Sequence, residues 1–406
     1  MNFSADDISE WKGILCDELQ NKTDDEINDY LFNLQELTLY QLKCESLPKS
    51  LGKLRNLIYL RVWSCPNITT LPEQIGQLAN LSELRVLYCE RLTHLPNSVC
   101  QLLNLKKLQL SDCHQFGELP EQMGQLQQLE VLERHSCLYM QSIPKQIWQL
   151  KNLTELTLTA VNAVLPDDIG QLRKLQKLNL SGSQFKNLPD NIGKLENLCL
   201  LVLSYSNLKA LPDTIGQLKN LKYLHLNGCN QLTGLPESIG QLGNSLQTLE
   251  LDGCDFMALP NSIGQLKRLP NKWRLPMGLT SLPEQIRELS FIRHLIITID
   301  DKHLDIIEHI VRLLPNITTL EIRDAGYHSN CSLTRLPETI GQLWALQILD
   351  LSGCEYLKIL PEQSIGQLRN LKILDLHYCP KLKVSNEFFD ALSECQILGK
   401  KRKKQS

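Results

Sequence analysis

A Leu-Pro or Ile-Pro pair returns along this chain at Leu47, Leu71, Leu95, Leu119, Ile143, Leu165, Leu188, Leu211, Leu235, Leu259 and Leu282, then at Leu336 and Leu360. The spacing is 22 to 24 residues, apart from one interval of 54. A fixed period of this length means one small structural unit stacked on copies of itself, because a single unit cannot bury its own apolar face. A chain of 406 residues would otherwise suggest two or three domains of roughly 150 residues each. Repetition replaces that expectation with one array and a cap at each end.

Each unit has two halves. The first reads L-x-x-L-x-L-x-x-C, as in Leu105, Leu108, Leu110 and Cys113; the second reads x-x-L-P-x-x-I-G-Q-L, as in Leu235 through Leu242. Fifteen units begin at positions 34, 57, 81, 105, 129, 153, 175, 198, 221, 246, 269, 292, 317, 346 and 371. The L-x-L step has the period of a strand whose leucines point inward and whose neighbours point outward. Proline cannot donate a ladder hydrogen bond, so it starts the return leg. Ile and the following Leu pack that leg against the strand, and the Gly between them is expected to permit a tight turn.

Eight of the fourteen cysteines fall in one column of the unit: Cys65, Cys89, Cys113, Cys137, Cys229, Cys254, Cys354 and Cys379. A small thiol suits a buried corner at the strand end, where it is expected to accept weakly from backbone amides. No C-x-x-C pair is present, so a zinc site is not expected. Triplets such as Asn80-Leu81-Ser82 and Asn152-Leu153-Thr154 read as products of the repeat, not as glycan acceptors.

With this pattern laid out, the chain resembles leucine-rich-repeat proteins over residues 34–384. Its L-P-x-x-I-G-x-L half, with Cys in the strand-end column, is most similar to the intracellular repeats of plant disease-resistance receptors and of Ras-associated scaffolds of the Shoc-2-like group. The resemblance implies an α/β solenoid, a horseshoe of about fifteen coils with a parallel sheet on its concave face. It also implies a non-enzymatic protein that binds a protein partner there, in signal transduction or plant defence. Only 33 residues precede the first repeat, too few for the nucleotide-binding or TIR modules of those receptors.

The expected layout is a helical cap at 1–33, the solenoid at 34–384, a capping helix at 385–398 and a basic tail at 399–406. Ile8, Trp11, Ile14 or Leu15, and Leu19 give the first segment one apolar side, for the first coil or for a partner. Phe388, Phe389 and Leu392 are expected to close the other end. Three departures interrupt the array. The coil at 269–281, LPNKWRLPMGLTS, places Lys272 and Arg274 in the inward strand positions between two prolines and is expected to fray, as a hinge or as drift. Arg134 replaces a strand leucine and is expected to pair with Glu133 or Glu130. The unit after Ile292 lacks Leu-Pro and carries Leu304, Ile307, Val311 and Leu314 at helical spacing, a helical insertion at about 303–314. A long loop follows, from Asp324 to Leu333.

The acidic N-terminus is no signal peptide, and no run of about 18 apolar residues reads as a membrane span. The expected compartment is the reducing cytoplasm, with free thiols. The basic run Lys400–Lys404 offers a nuclear-targeting alternative. Without it the formal balance is 37 bases against 45 acids, so charge exerts no pull toward nucleic acid. Phosphate loops, H-E-x-x-H and G-x-S-x-G are all missing, and no cofactor, metal or small-molecule substrate is expected.

Function must then lie in outward strand residues, which the repeat does not dictate. The early coils offer Tyr40, Tyr59, Arg61, Trp63, Arg85, Leu87 and Tyr88, with Glu36 and Glu83 alongside. Tyr, Trp and Arg are the types enriched where binding energy concentrates. Middle coils are small and polar (Ser111, Asp112, Thr157, Thr159), apart from Tyr205, Tyr223 and His225. Late coils are expected to be acidic through Glu321, Asp324, Asp350 and Asp375, next to His377 and Tyr378. The leading reading is an interaction scaffold. The alternative is a substrate adaptor or regulatory subunit for a small GTPase, phosphatase or ubiquitin ligase, its second contact made by the N-terminal segment or the 303–314 helix.

Overall fold

The computed structural model describes residues 3–137, 140–324 and 332–400. It comprises two compact units, Met1–Phe185 with Pro189–Leu203, and Lys186–Leu188 with Ser204–Ser406.

The first unit opens with helices α1 (Ala5–Ile14), α2 (Cys16–Leu19) and α3 (Asp24–Asn33). Ser4 and Thr23 start α1 and α3 with reciprocal capping boxes through Asp7 and Glu26. Ile8, Trp11, Leu15, Leu19, Ile27 and Leu31 are buried, so Leu15 and not Ile14 completes the apolar side. The Trp11 indole donates to Ser50 Oγ at 3.1 Å, and Lys53 pairs with Asp7 at 2.5 Å, tying the helices to the first coil.

Eight strands follow: β1 (Glu36–Tyr40), β2 (Tyr59–Trp63), β3 (Glu83–Leu87), β4 (Lys107–Ser111), β5 (Val131–His135), β6 (Glu155–Leu158), β7 (Lys177–Asn179) and β8 (Leu200–Val202). They pair in parallel and in sequence, and the register aligns Leu37, Leu60, Leu84, Leu108, Leu132, Leu156, Leu178 and Leu201. All eight leucines are buried. Each is worth about 2 kcal/mol of burial, so the array is held by many equal contributions.

In this unit a short 3-10 turn after the Leu-Pro or Ile-Pro pair forms the return leg, such as Glu73–Gln77 behind Pro72. The repeat's glycine does not serve a special turn conformation. It permits close approach: a Cβ on Gly124 would lie 2.9 Å from the carbonyl oxygen of Gln146 in the next coil. Asparagines just before the first strand leucine knit the coils from outside. Asn80 Nδ2 donates to Arg55 O at 3.0 Å and Asn152 Nδ2 to Gln127 O at 2.9 Å, which gives the two glycan-like triplets a structural role.

Seven of the eight column cysteines fill buried corners as expected, Cys137 being half-buried, but their hydrogen bonds run the other way. The thiols donate to carbonyls at or just past the strand of the preceding coil, as in Cys113 Sγ to Val86 O at 3.6 Å and Cys254 Sγ to Leu226 O at 3.2 Å. Burial pushes the Cys254 and Cys354 thiols up to about 12, which keeps them protonated and unreactive. Arg134 does not pair with Glu133 or Glu130. Those glutamates point outward to Lys107 and Lys106, while Arg134 is fully buried. Its guanidinium donates to Thr159 O, Phe116 O and Gly117 O at 3.2, 3.1 and 2.9 Å and lies over the Phe116 ring.

In the second unit, β9 (Tyr223–His225) pairs with β10 (Thr248–Glu250). A separate sheet holds β11 (Lys272–Arg274), β12 (His294–Ile299), β13 (Thr319–Asp324), β14 (Ile348–Asp350), β15 (Ile373–Asp375) and β16 (Gln396–Leu398), all parallel. The 269–281 coil is ordered and paired to β12, but its register differs from expectation. Trp273 is the inward residue, 3% exposed, whereas Lys272 and Arg274 face outward. Helix α4 (Asp305–Leu313) buries Ile306, Ile307, Ile310 and Leu313; Leu304 and Val311 are only half-buried.

At the far end, α5 (Glu362–Gly366) forms the last return leg and α6 (Asn386–Ala391) buries Phe388. The expected helix to 398 stops at Ala391, because Gln396–Leu398 joins the sheet as β16. Most of the 324–333 loop and the bases at 401–404 lie outside the described residues.

Candidate partner-binding face

In the first unit the parallel register turns outward residues into columns. Glu36, Tyr59, Glu83 and Lys107 form one; Thr38, Arg61, Arg85 and Gln109 the next; Tyr40, Trp63, Leu87 and Ser111 the third. The next residue of each coil adopts a left-handed backbone, Gln41, Ser64, Tyr88 and Asp112 among them. Only Tyr88 carries a bulky side chain in that run, a costly choice in a conformation that small polar residues adopt more readily.

Tyr40, Trp63 and Tyr88 make a stepped aromatic ladder. Ring centroids are 5.4 Å apart between Tyr40 and Trp63 and 6.5 Å between Trp63 and Tyr88. These rings and Tyr59 are 39–53% exposed. Such edge and tilted contacts hold the rings in place without hiding them. Beside the ladder is a cleft of about 290 Å³ lined by Glu36, Thr38, Tyr59, Arg61, Glu83 and Arg85. Arg85 donates to Glu83. Among the described residues no carboxylate pairs with Arg61, so its guanidinium is available to a ligand. The structure therefore brings Tyr40, Tyr59, Arg61, Trp63, Arg85, Leu87 and Tyr88 onto one face.

Further along the same unit the face becomes quieter. Ser111 and Thr159 are buried, which corrects their reading as exposed polar residues. Lys107–Glu133 and Lys177–Glu155 pair at 3.5 and 2.8 Å.

The second unit carries Tyr205, Tyr223 and His225. Tyr205 is 72% exposed in a left-handed conformation, and its ring covers Gly228, where a Cβ would stand 2.4 Å from Cδ1. Tyr223 Oη donates to Gln247 Oε1 at 3.5 Å, and His225 Nδ1 is 3.8 Å from Glu250.

The late coils are not an open acidic surface. Glu321 accepts from His294, Lys272 and Arg323, the last two at 3.3 and 2.8 Å. Arg323 also pairs with Asp350 at 3.0 Å and donates to Ser352 Oγ. Burial works to raise the Glu321 carboxyl, but the bonds from His294 and Lys272 outweigh it and hold it below the ordinary value. Burial likewise opposes ionisation of Asp350, and the bond from Arg323 wins. Asp375 is turned to His377, Nδ1 to Oδ1 at 2.8 Å. Sequence reasoning missed this network because, apart from Arg323 and Glu321, its partners lie 27 to 49 residues apart. The signal available was the same-sign column Glu321–Asp350–Asp375, with Arg323 two residues along the strand from Glu321 to relieve it.

Among the described residues, no group of three or more His, Cys, Asp or Glu could hold a metal ion, and no helix is long and apolar enough to cross a membrane. Residues 88–182, 167–234 and 214–332 match the model of a leucine-rich repeat region, together spanning 88–332, more than half of the chain. The chain belongs to the leucine-rich-repeat family, and its fold is that family's α/β solenoid. A solved leucine-rich-repeat protein of Leptospira interrogans is 29% identical, the match covering 90% of each chain with a TM-score of 0.60. A solved TDR receptor is 21% identical over 96% of this chain and 69% of the receptor chain, with a TM-score of 0.58, a likeness of fold alone. Comparison with curated proteins gives no match.

Proposed function

We propose that this chain is a non-enzymatic scaffold that holds a protein partner on the strand face of its first coils. The observation that carries this reading is the exposed ladder Tyr40–Trp63–Tyr88 beside the unpaired Arg61. Aromatic rings already fixed by one another lose little freedom on binding, and arginine adds a directional contact to a carboxylate. The partner surface that fits is apolar with an acidic residue at its centre. Tyr205, Tyr223 and His225 supply a second, smaller contact in the other unit. Its place in intracellular signalling or defence-type recognition, in the cytoplasm, rests on the L-P-x-x-I-G-Q-L and Cys pattern described above.

Replacing Arg61, Trp63 and Arg85 together with Ala tests the patch. Loss of two or three such anchors is expected to cost about 3 kcal/mol or more, a loss of affinity of at least about 100-fold for the bound partner. Unchanged affinity in a folded variant would overturn the assignment.

A further inference from the structure

Within the second unit the parallel ladder is cut between β10 and β11, which belong to different sheets. The neighbouring coils show what is missing. Leu226 N–H donates to Glu250 O at 2.9 Å and Leu275 N–H to Ile296 O at 3.0 Å, yet the equivalent Leu251 amide makes no such bond. Thr248 N–H donates to Lys222 O and His294 N–H to Asn271 O, both at 3.0 Å, yet the equivalent Lys272 amide makes none. Beyond the strands the coils rejoin, with Met277 N–H on Cys254 O at 2.8 Å and Phe256 N–H on Met277 O at 3.0 Å.

Three sequence features cause the break. Pro276, just past β11, has no N–H to give the ladder, and Pro270 lacks the turn bond that Leu246 and Ile292 make at the equivalent place. Trp273 stands in the column of Leu249 and Leu295, and an indole is too wide for a leucine position. Its Nε1–H reaches back to Leu249 O at 3.3 Å, so a side chain occupies the acceptor that a backbone amide of β11 would otherwise use. What remains is a cleft of about 350 Å³ floored by Trp273, Leu249 and Leu251. Glu250 and Asp252 stand on one wall, Lys272 and Arg274 on the other.

Unpaired backbone groups on two facing edges need water or another strand. We propose that this gap is a slot for β-addition, taking an extended segment of a partner polypeptide whose main chain pairs with both edges. The two walls set its side chains. Inward residues meet Trp273 and the two leucines, so they are aliphatic. Outward residues lie between an acidic column and a basic one, where a charge gains from one wall and loses to the other, so they are uncharged and hydroxyl-bearing. The Arg274–Asp252 pair, 2.9 Å long and half-exposed, spans the mouth and must open for a segment to enter.

The test is an array of acetylated heptapeptides in which valine or isoleucine alternates with threonine or serine. Block-sequence peptides of equal composition serve as controls, beside versions with Lys or Glu outward. The alternating uncharged peptides are expected to bind, and their binding to slow amide exchange at Leu251 and Lys272 specifically. Trp273→Leu, which restores the repeat's residue and closes the ladder, is expected to weaken binding about tenfold. Arg274→Ala, which frees the mouth and keeps the core, is expected to strengthen it about threefold. The proposal is overturned if alternating and block peptides bind alike, or if no peptide binds. It is equally overturned if exchange at the two amides is unmoved, or if neither substitution changes binding. Self-association of the protein that Trp273→Leu abolishes would show that a second copy fills the gap instead.

Discussion

The strand faces of the two units carry the same kinds of residue and put them to opposite use. In the first unit, Arg61 has no carboxylate partner among the described residues and stands among exposed rings. In the second, Arg323 is taken up by Glu321, Asp350 and Ser352. A count of charges would call the first face cationic and the second acidic. Pairing tells a different story: Glu321 and Asp350 are already engaged by Lys272, His294 and Arg323, whereas the exposed rings of the early face stand beside an arginine with no carboxylate partner among the described residues. What marks a recognition surface in a repeat array is the group left unsatisfied at the surface, because the array itself does not need it.

Three arginines break or sharpen that contrast, and their stability effects should fall in order. Arg134→Ala is expected to cost about 3 kcal/mol, since it leaves a cavity beside Phe116 and three carbonyls, two of them buried, without their donor. Arg323→Ala should cost about 1 kcal/mol, because its ion pairs are partly screened by solvent. Arg61→Ala should change stability by less than about 0.5 kcal/mol. Urea unfolding midpoints at equal slope check the series. Partner affinity should run the other way, with Arg61→Ala the only one of the three to lose it while the fold is intact.

Acid should erase the middle member of this series. Glu321 and Asp350 are held below their ordinary values of 4.5 and 3.8, so their stabilising effect is complete above those values. It disappears as pH falls through the lower folded-state values. The stability difference between the wild-type protein and Arg323→Ala should therefore shrink below about pH 4. A difference that stays constant to pH 2 would show that these carboxylates do not hold Arg323.

The repeat made the strands legible, since each inward leucine is announced by its neighbours at a fixed interval. The outward columns follow from the same register, which is why Tyr40, Trp63 and Tyr88 could be placed on one face from the sequence. The fate of Arg134 was not legible. Its acceptors are carbonyls 17 to 25 residues away, exposed to it only because the coils stack. Trp273 was misplaced by one position because the prolines around it hide the L-x-L step. The end of α6 was missed because Gln396–Leu398 is too short a segment to show a period. Local pattern sets what each coil is. Contacts between coils decide what its exceptions do.

The central claim is that partners meet the early strand face, and photo-crosslinking tests it most directly. A photoreactive phenylalanine analogue at Tyr59, within the patch, is compared with one at Leu103, 60% exposed elsewhere on the same unit. The expected result is a covalent partner adduct from position 59 that is absent from position 103 and is lost in the Arg61, Trp63 and Arg85 triple variant. Equal crosslinking at both positions, or an adduct from position 103 alone, would contradict the account.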